Sequence, residues 1–257
     1  MDLTNAMLYI ADLEALGVVI PAETDNARAI YLAAGEAAAQ SPADDLRAAL
    51  IGGQITAENV AEHVRAAALA EAARQTVQTL TRDLHLPLAA AMRRGLEADA
   101  DRIRADLAVL FKPAAAELTK TAKHFGPGAT AQQAIDAGPE AVALFQRIDE
   151  NTATLNAVAR AYQSLLSSIT RDLPALGPVV SLYVKGTADL DLEHATQRFN
   201  QSDRWLELLA GGFALALNTP EQARRIAREH TQRVEQAERE RVANRRQGLR
   251  FPAQVGR

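Results

Sequence analysis

The chain has no cysteine, few aromatic residues and only four lysines, and each shortage closes off a class of protein. Without cysteine, neither a disulfide framework nor a cysteine-ligated zinc or iron-sulfur centre can be built. Aromatics make up 4% of the 257 residues, so an interior must be closed by thin side chains on closely spaced elements. No stretch reaches the roughly 18–20 consecutive apolar residues of a membrane span. The closest, Trp205 to Leu217, is shorter and contains Glu207 and the Gly211-Gly212 pair. The N-terminus lacks the basic and long apolar segments of a signal peptide, and a cytoplasmic protein is expected.

Catalytic signatures are also missing. No His-Glu-x-x-His, Gly-x-Ser-x-Gly, phosphate loop or dinucleotide fingerprint occurs, and the five histidines, at 63, 85, 124, 194 and 230, are far apart. Asp189, Asp191, Glu193 and His194 lack the central glycine and terminal glutamate of a calcium loop, and read as an acidic helix start. Glu97, Asp99 and Asp101 precede Arg102 and Arg104 as ordinary helix-surface pairs. No enzyme is expected: no catalytic residue, no cofactor, no metal and no small-molecule ligand.

Alanine, at 54 residues, is what the chain has in abundance. It is the best helix former, and strand-favouring residues are sparse, so the expected fold is all-α. Caps and breakers divide the sequence. Residues 1–53 read as short helices: one closed by Gly17, one capped by Thr24 or Asp25, and one opened by Ser41-Pro42 and closed by Gly52-Gly53. Residues 54–173 read as a long antiparallel hairpin, coiled-coil-like, with a kink or restart at Pro87 and a corner from Gly126 to Gly138 that contains a capping box at Thr130–Gln133. Residues 174–187 read as a linker with a short strand over Val179–Val184. Residues 188–218 form a small helical segment with an apolar helix. Residues 219–257 form a charged helix, opened by Thr219-Pro220-Glu221-Gln222, and an extended basic arm.

Two periodic stripes mark the hairpin arms. From Phe145 to Leu173 apolar or small residues alternate in steps of three and four: Phe145, Ile148, Thr152, Leu155, Ala159, Tyr162, Leu166, Ile169, Leu173. That 3.5-residue repeat keeps a narrow stripe facing a partner helix. Met92, Leu96, Asp99, Ile103, Leu107, Leu110, Ala114, Leu118 and Thr121 follow an eleven-residue period instead, so the two stripes drift out of register. Part of the ladder is therefore expected to remain for another subunit. The interface candidates are Phe145, Ile148, Leu155, Tyr162, Leu166 and Ile169, with Trp205 and Phe213 from the apolar helix.

Charge is unevenly spread. Residues 221–257 hold ten arginines and five acids, a net of +5, which leaves −9 on the first 220 residues of a chain whose net charge is −4. The last 17 residues carry five arginines and no acid. Arg239, Arg241, Arg245, Arg246 and Arg250 can pair with an acidic protein surface or with nucleic acid phosphates.

Alanine-rich, cysteine-free and arginine-over-lysine, with heptad and hendecad helices and a basic arm, the chain resembles helical virion or assembly proteins of tailed phages that infect actinobacteria. The resemblance implies a non-enzymatic structural protein, capsid- or tail-associated, assembled in the host cytoplasm and partnered by other subunits including copies of itself. A nucleic-acid-associated regulatory protein using the arm is the alternative from another class; a helical-bundle enzyme is a third.

Overall fold

The computed structural model describes residues 3–39, 41–170, 177–187 and 189–248. These residues build an all-α fold, with no strand among them and one isolated backbone bridge between Val184 and Leu215. Two compact units divide the chain within a helix, at Ile103/Arg104, and not at the expected linker. The first unit comprises Met1–Ile103 and Ser167–Ile169; the second comprises Arg104–Leu166 and Thr170–Arg257.

In the first unit, α1 (Leu3–Ala15), α2 (Ala22–Ala39) and α3 (Pro42–Ile51) surround α4 (Val60–Ala98), a helix of 39 residues. Pro87 does not interrupt α4. Helices α2 and α4 run antiparallel, since Thr24 Oγ1 donates to the Met92 carbonyl (3.1 Å) at one end and Gln78 Nε2 to the Ala38 carbonyl (3.5 Å) at the other. Alanine lets them approach closely. Leu3, Ala6, Ile10, Ala27, Leu88, Ala89 and Met92 make the core where α1, α2 and α4 meet. Thr24, expected as a cap, is a buried packing residue beside Gly95. Away from that core the unit buries little: Leu32, Leu50, Ile51, Val60, Val64, Leu69 and Leu80 are exposed. The first arm of the expected hairpin thus pairs with α2.

In the second unit, α5 (Ala100–Thr121) enters at Arg104 and leads through a corner and the short α6 (Ala131–Ala137) to α7 (Pro139–Gln146) and α8 (Ile148–Ile169). The capping box at the start of α6 is present, with Thr130 and Gln133 satisfying each other's backbone N–H. The second arm is broken at Arg147, so the expected single helix is two. Phe125 meets Phe145 edge-on at 5.8 Å, and Glu117 lies 3.9 Å from Arg147. Following α5 backwards thus matches following α7 and α8 forwards, and this pair forms an antiparallel hairpin. From the eleven-residue stripe, Met92, Leu96, Ile103, Leu107, Ala114, Leu118 and Thr121 are buried, while Asp99 ends α4 and separates it from α5.

Val179–Leu182, expected as a strand in a linker, is a 3-10 turn whose Val180, Ser181 and Leu182 are buried, followed by fully buried Tyr183 and Val184. The correction has a simple cause. Inward-facing β-branched residues serve a buried turn as well as a strand, and only the end of the run, Leu182 to Lys185, bonds antiparallel to residues 214–218, through the single Val184–Leu215 bridge. Helices α9 (Leu192–Phe199), α10 (Arg204–Ala210) and α11 (Pro220–Gly248) complete the unit. The apolar helix is only seven residues long. Leu173, expected to end the ladder, lies outside the described residues, as do the linker's Pro174 and the arm's Arg250 with the rest of 249–257.

Candidate functional site

Trp205 organises the second unit. Its helix, α10, is too short to be stable alone, and Trp205, Leu206 and Leu208 are buried to hold it. Three rings stand edge-on to the indole: Phe111 of α5 at 6.0 Å, Tyr183 at 5.6 Å and Phe199 of α9 at 5.5 Å. Tyr183 in turn stacks on Phe199 at 5.5 Å. Edge-to-face and offset contacts place the positive ring edge against the negative ring face, and each adds about 0.5–1.5 kcal/mol beyond its buried area. Four of the chain's eleven Phe, Tyr and Trp residues thus meet at one point.

Polar groups are threaded through this cluster. Asn156 of α8 presents one oxygen, Oδ1, to three donors: Trp205 Nε1 (2.9 Å), Arg204 Nε (2.9 Å) and Arg204 Nη2 (2.5 Å). The Arg204 guanidinium also lies over Phe199 and Trp205, 5.2 and 5.5 Å from the ring centres. Burial pulls its pKa below the usual arginine value, and no carboxylate among the described residues pairs with it. Tyr183 donates its hydroxyl to the Ala159 carbonyl of α8 (3.0 Å), and burial pushes the phenol above the ordinary tyrosine range. Buried Asn218 donates Nδ2 to the carbonyls of Ser181 (2.8 Å) and Val184 (2.7 Å), while its own carbonyl accepts from Tyr162 (2.7 Å). The arrangement locks α5, α8, α9 and the turn at 179–182 together. Rings and amides fill one another's space, so this is packing and not a substrate site.

An open feature lies at the other end of α8. A cleft of about 220 Å³ forms where the α7–α8 elbow, the corner and the start of α10 meet, lined by Ala129, Phe145, Ile148, Thr152 and Leu206, with Asp149 and Asp203 at its edge. Asp203 accepts from the Gly128 N–H (3.1 Å), which ties the corner to α10. The volume lies below the roughly 300–1,000 Å³ of small-molecule sites, so it suits one or two side chains of a protein.

Helix α11 is the third feature. Thr219 and Gln222 form its reciprocal capping box (2.8 and 3.1 Å), as the sequence predicts. Ala223 and Ile226 are buried, Arg233 Nη2 reaches the Leu190 carbonyl (3.2 Å), and every residue from Val234 to Ala243 is exposed. Arg239 and Arg241 lie on that exposed stretch, and Arg245 and Arg246 follow in the same helix.

The interface candidates divide accordingly. Leu155, Tyr162, Leu166 and Trp205 are no more than 1% exposed, which leaves no accessible surface on them for a partner; the chain's own core uses the ladder there. Phe145 and Ile148 are half-buried and meet in the cleft. Ile169 is half-buried at the end of α8, and half-buried Phe213 meets His194 edge-on at 6.0 Å. Asp191 caps α9 by accepting from the His194 N–H (3.0 Å), and His194 Nε2 accepts from Arg198 Nε (2.9 Å). Among the described residues no three His, Asp or Glu side chains converge as metal donors, and no helix is long and apolar enough to cross a membrane. Asn156 and Asn218 could not be singled out in advance, because a lone asparagine carries no spacing signal.

Comparison with known proteins finds no match. No family model, no curated protein and no solved structure matches the chain.

Proposed function

We propose that the chain is a non-enzymatic structural or assembly protein, working through helix packing and the docking of its basic C-terminal arm onto other subunits of a larger particle. The observation that carries this reading is the outer part of α11, whose residues from Val234 to Ala243 are exposed and which leads into residues 241–257, with five arginines and no acid. A helix end that is exposed over ten residues and leads into a basic segment is available to something else. The exposed apolar residues on α2, α3 and α4 support the same reading, since apolar surface of that kind is costly unless a partner covers it. The virion of a tailed phage is the setting that the composition and helical style suggest.

Mass spectrometry of purified native particles, together with sedimentation of the full chain over a range of concentrations, tests the proposal. The expected result is a stoichiometric component of a particle and an association that grows with concentration. A chain that stays a monodisperse monomer at high concentration and accompanies no particle overturns it.

The same exposed arginines favour a second reading, binding to nucleic acid phosphates. It requires affinity for DNA that falls steeply with salt and is lost when residues 241–257 are deleted; affinity unchanged by that deletion removes it.

A further inference from the structure

We infer that the cleft at the α7–α8 elbow receives the C-terminal arm of a second copy of this chain, with Arg250 against Asp149 and Asp203 and Phe251 against Phe145, Ile148 and Leu206. The inference rests on the assembly reading above and names its contact.

The cleft pairs two chemistries in a small space. Its walls are apolar, from Ala129, Phe145, Ile148 and Leu206, and its edge carries two exposed carboxylates. Asp149 has no hydrogen-bond or ion-pair partner among the described residues, and Asp203 spends one oxygen, Oδ2, on Gly128. Arg147, the nearest cation along the backbone, lies on the side of Glu117 (3.9 Å), while Arg204 is spent on Asn156 and two rings. The edge therefore presents unneutralised negative charge beside the half-buried Phe145 ring and Ile148. An occupant that fits has a guanidinium next to an apolar side chain.

The segment after α11 carries that combination with no acid beside it. Residues 241–257 have five arginines and no acid, and Leu249-Arg250-Phe251 sets a guanidinium between two apolar residues. A helix running back along its own body toward the cleft would bury one face. Residues 234–243 bury none, so the helix that carries the arm does not run along its own body. From Val234 to Gly248 the helix extends about 22 Å, and the nine residues after it span at most about 30 Å, enough to reach across to a neighbour. Mutual exchange of arms between two copies makes a closed, symmetric dimer; one-way exchange makes a chain of subunits.

Because the native chain has no cysteine, cross-linking can be placed at will. Full-length chains of two different tags, one carrying Ile148→Cys and the other Phe251→Cys, are mixed and oxidised. The expected product is a disulfide-linked pair bearing both tags. In parallel, sedimentation equilibrium compares the native chain with Asp149→Lys, with Arg250→Glu and with both together. Each single reversal is expected to weaken association about five- to tenfold, and the double reversal to restore it. Asp149 is exposed at the first turn of α8, so its replacement leaves the core intact. Two outcomes overturn the inference: no link between differently tagged chains, or association that appears only with added DNA. Association that persists unchanged in both single variants removes the cleft contact but leaves the assembly reading standing, whereas a monomer under all conditions removes both.

Discussion

Gly95 of α4 lies directly against Thr24 of α2: a Cβ added at position 95 would fall inside van der Waals distance of the Thr24 hydroxyl and within 3.0 Å of its backbone nitrogen. The same threonine donates to the Met92 carbonyl, three residues before the glycine. Close approach and hydrogen bond depend on each other.

Gly95→Ala is therefore expected to destabilise the first unit by about 1–3 kcal/mol, despite alanine's better helix propensity, because the backbone of α2 must move. Gly35, in the middle of α2, has open space around it. Gly35→Ala should stabilise by about 0.5–1 kcal/mol. Denaturant midpoints of the two variants should move in opposite directions; equal shifts would show that the glycine contact is not tight.

Replacing Asn218 by Ala strips the carbonyls of Ser181 and Val184 of their shared donor in a buried setting. A loss of about 1–3 kcal/mol is expected, and chemical denaturation followed by Trp205 fluorescence measures it. Asn218→Asp should be no better, since a carboxylate cannot donate to either carbonyl.

The reverse holds at position 156. Asn156 uses only its oxygen toward Arg204 and Trp205. Asn156→Asp retains that acceptor and adds the negative charge that the half-buried guanidinium lacks. Stability should rise by about 1 kcal/mol, with the gain shrinking at high salt. A lowered midpoint would mean that the carboxylate's desolvation outweighs the pairing.

Burial raises the pKa of both Tyr9 and Tyr183, with Asp12 adding to the effect at Tyr9. For a phenol, a raised folded value means the neutral form is favoured by folding. The stability this contributes is present below the unfolded value of about 10 and is lost as the pH rises above it. Ultraviolet difference spectra should show these two phenols ionising only as the native structure unfolds in alkali, and Tyr183→Phe should leave one fewer tyrosine in that late step.

On α4, the hydrogen bond from Arg74 holds the Glu71 carboxyl at a pKa of about 2, with Gln75 as a second donor. A depressed value favours the folded form above the unfolded pKa of about 4.3, and the preference disappears as pH falls through about 2. Carboxyl NMR should place its midpoint near 2, and Arg74→Ala should return it toward the ordinary range.

The helices were legible wherever caps and periodicity agreed. Ser41-Pro42, Thr130–Gln133 and Thr219–Gln222 open helices where the sequence places them. The buried stripe from Met92 to Thr121 also follows its period. Partnership is legible only in part: α5, which carries most of the eleven-residue stripe, pairs with α7 and α8 as expected. Periodicity says that a face is covered, not by what, so α4 was assigned to the ladder helix when α2 packs on it. Pro87 predicts a kink or restart because its missing N–H is local information, whereas Leu88, Ala89 and Met92, buried just beyond it, hold the helix together. The drift between periods says that part of the ladder is left over, but not that the part is Phe145 and Ile148. The two carboxylates beside them come from distant parts of the chain, and no spacing rule joins Asp149 to Asp203.

The exposed end of α11 has one more consequence, for reach. Apolar contact fixes only its first turns, and beyond Arg233 the helix depends on its own ladder of pairs, such as Arg239–Glu235 (3.3 Å) and Gln236–Glu240 (3.0 Å). Such pairs contribute only tenths of a kcal/mol each and weaken with salt. The helix is therefore a ruler whose length depends on the solution around it: long and stiff at low ionic strength, frayed and shorter at high. The distance at which its arginines act is set by the same ions that compete for them.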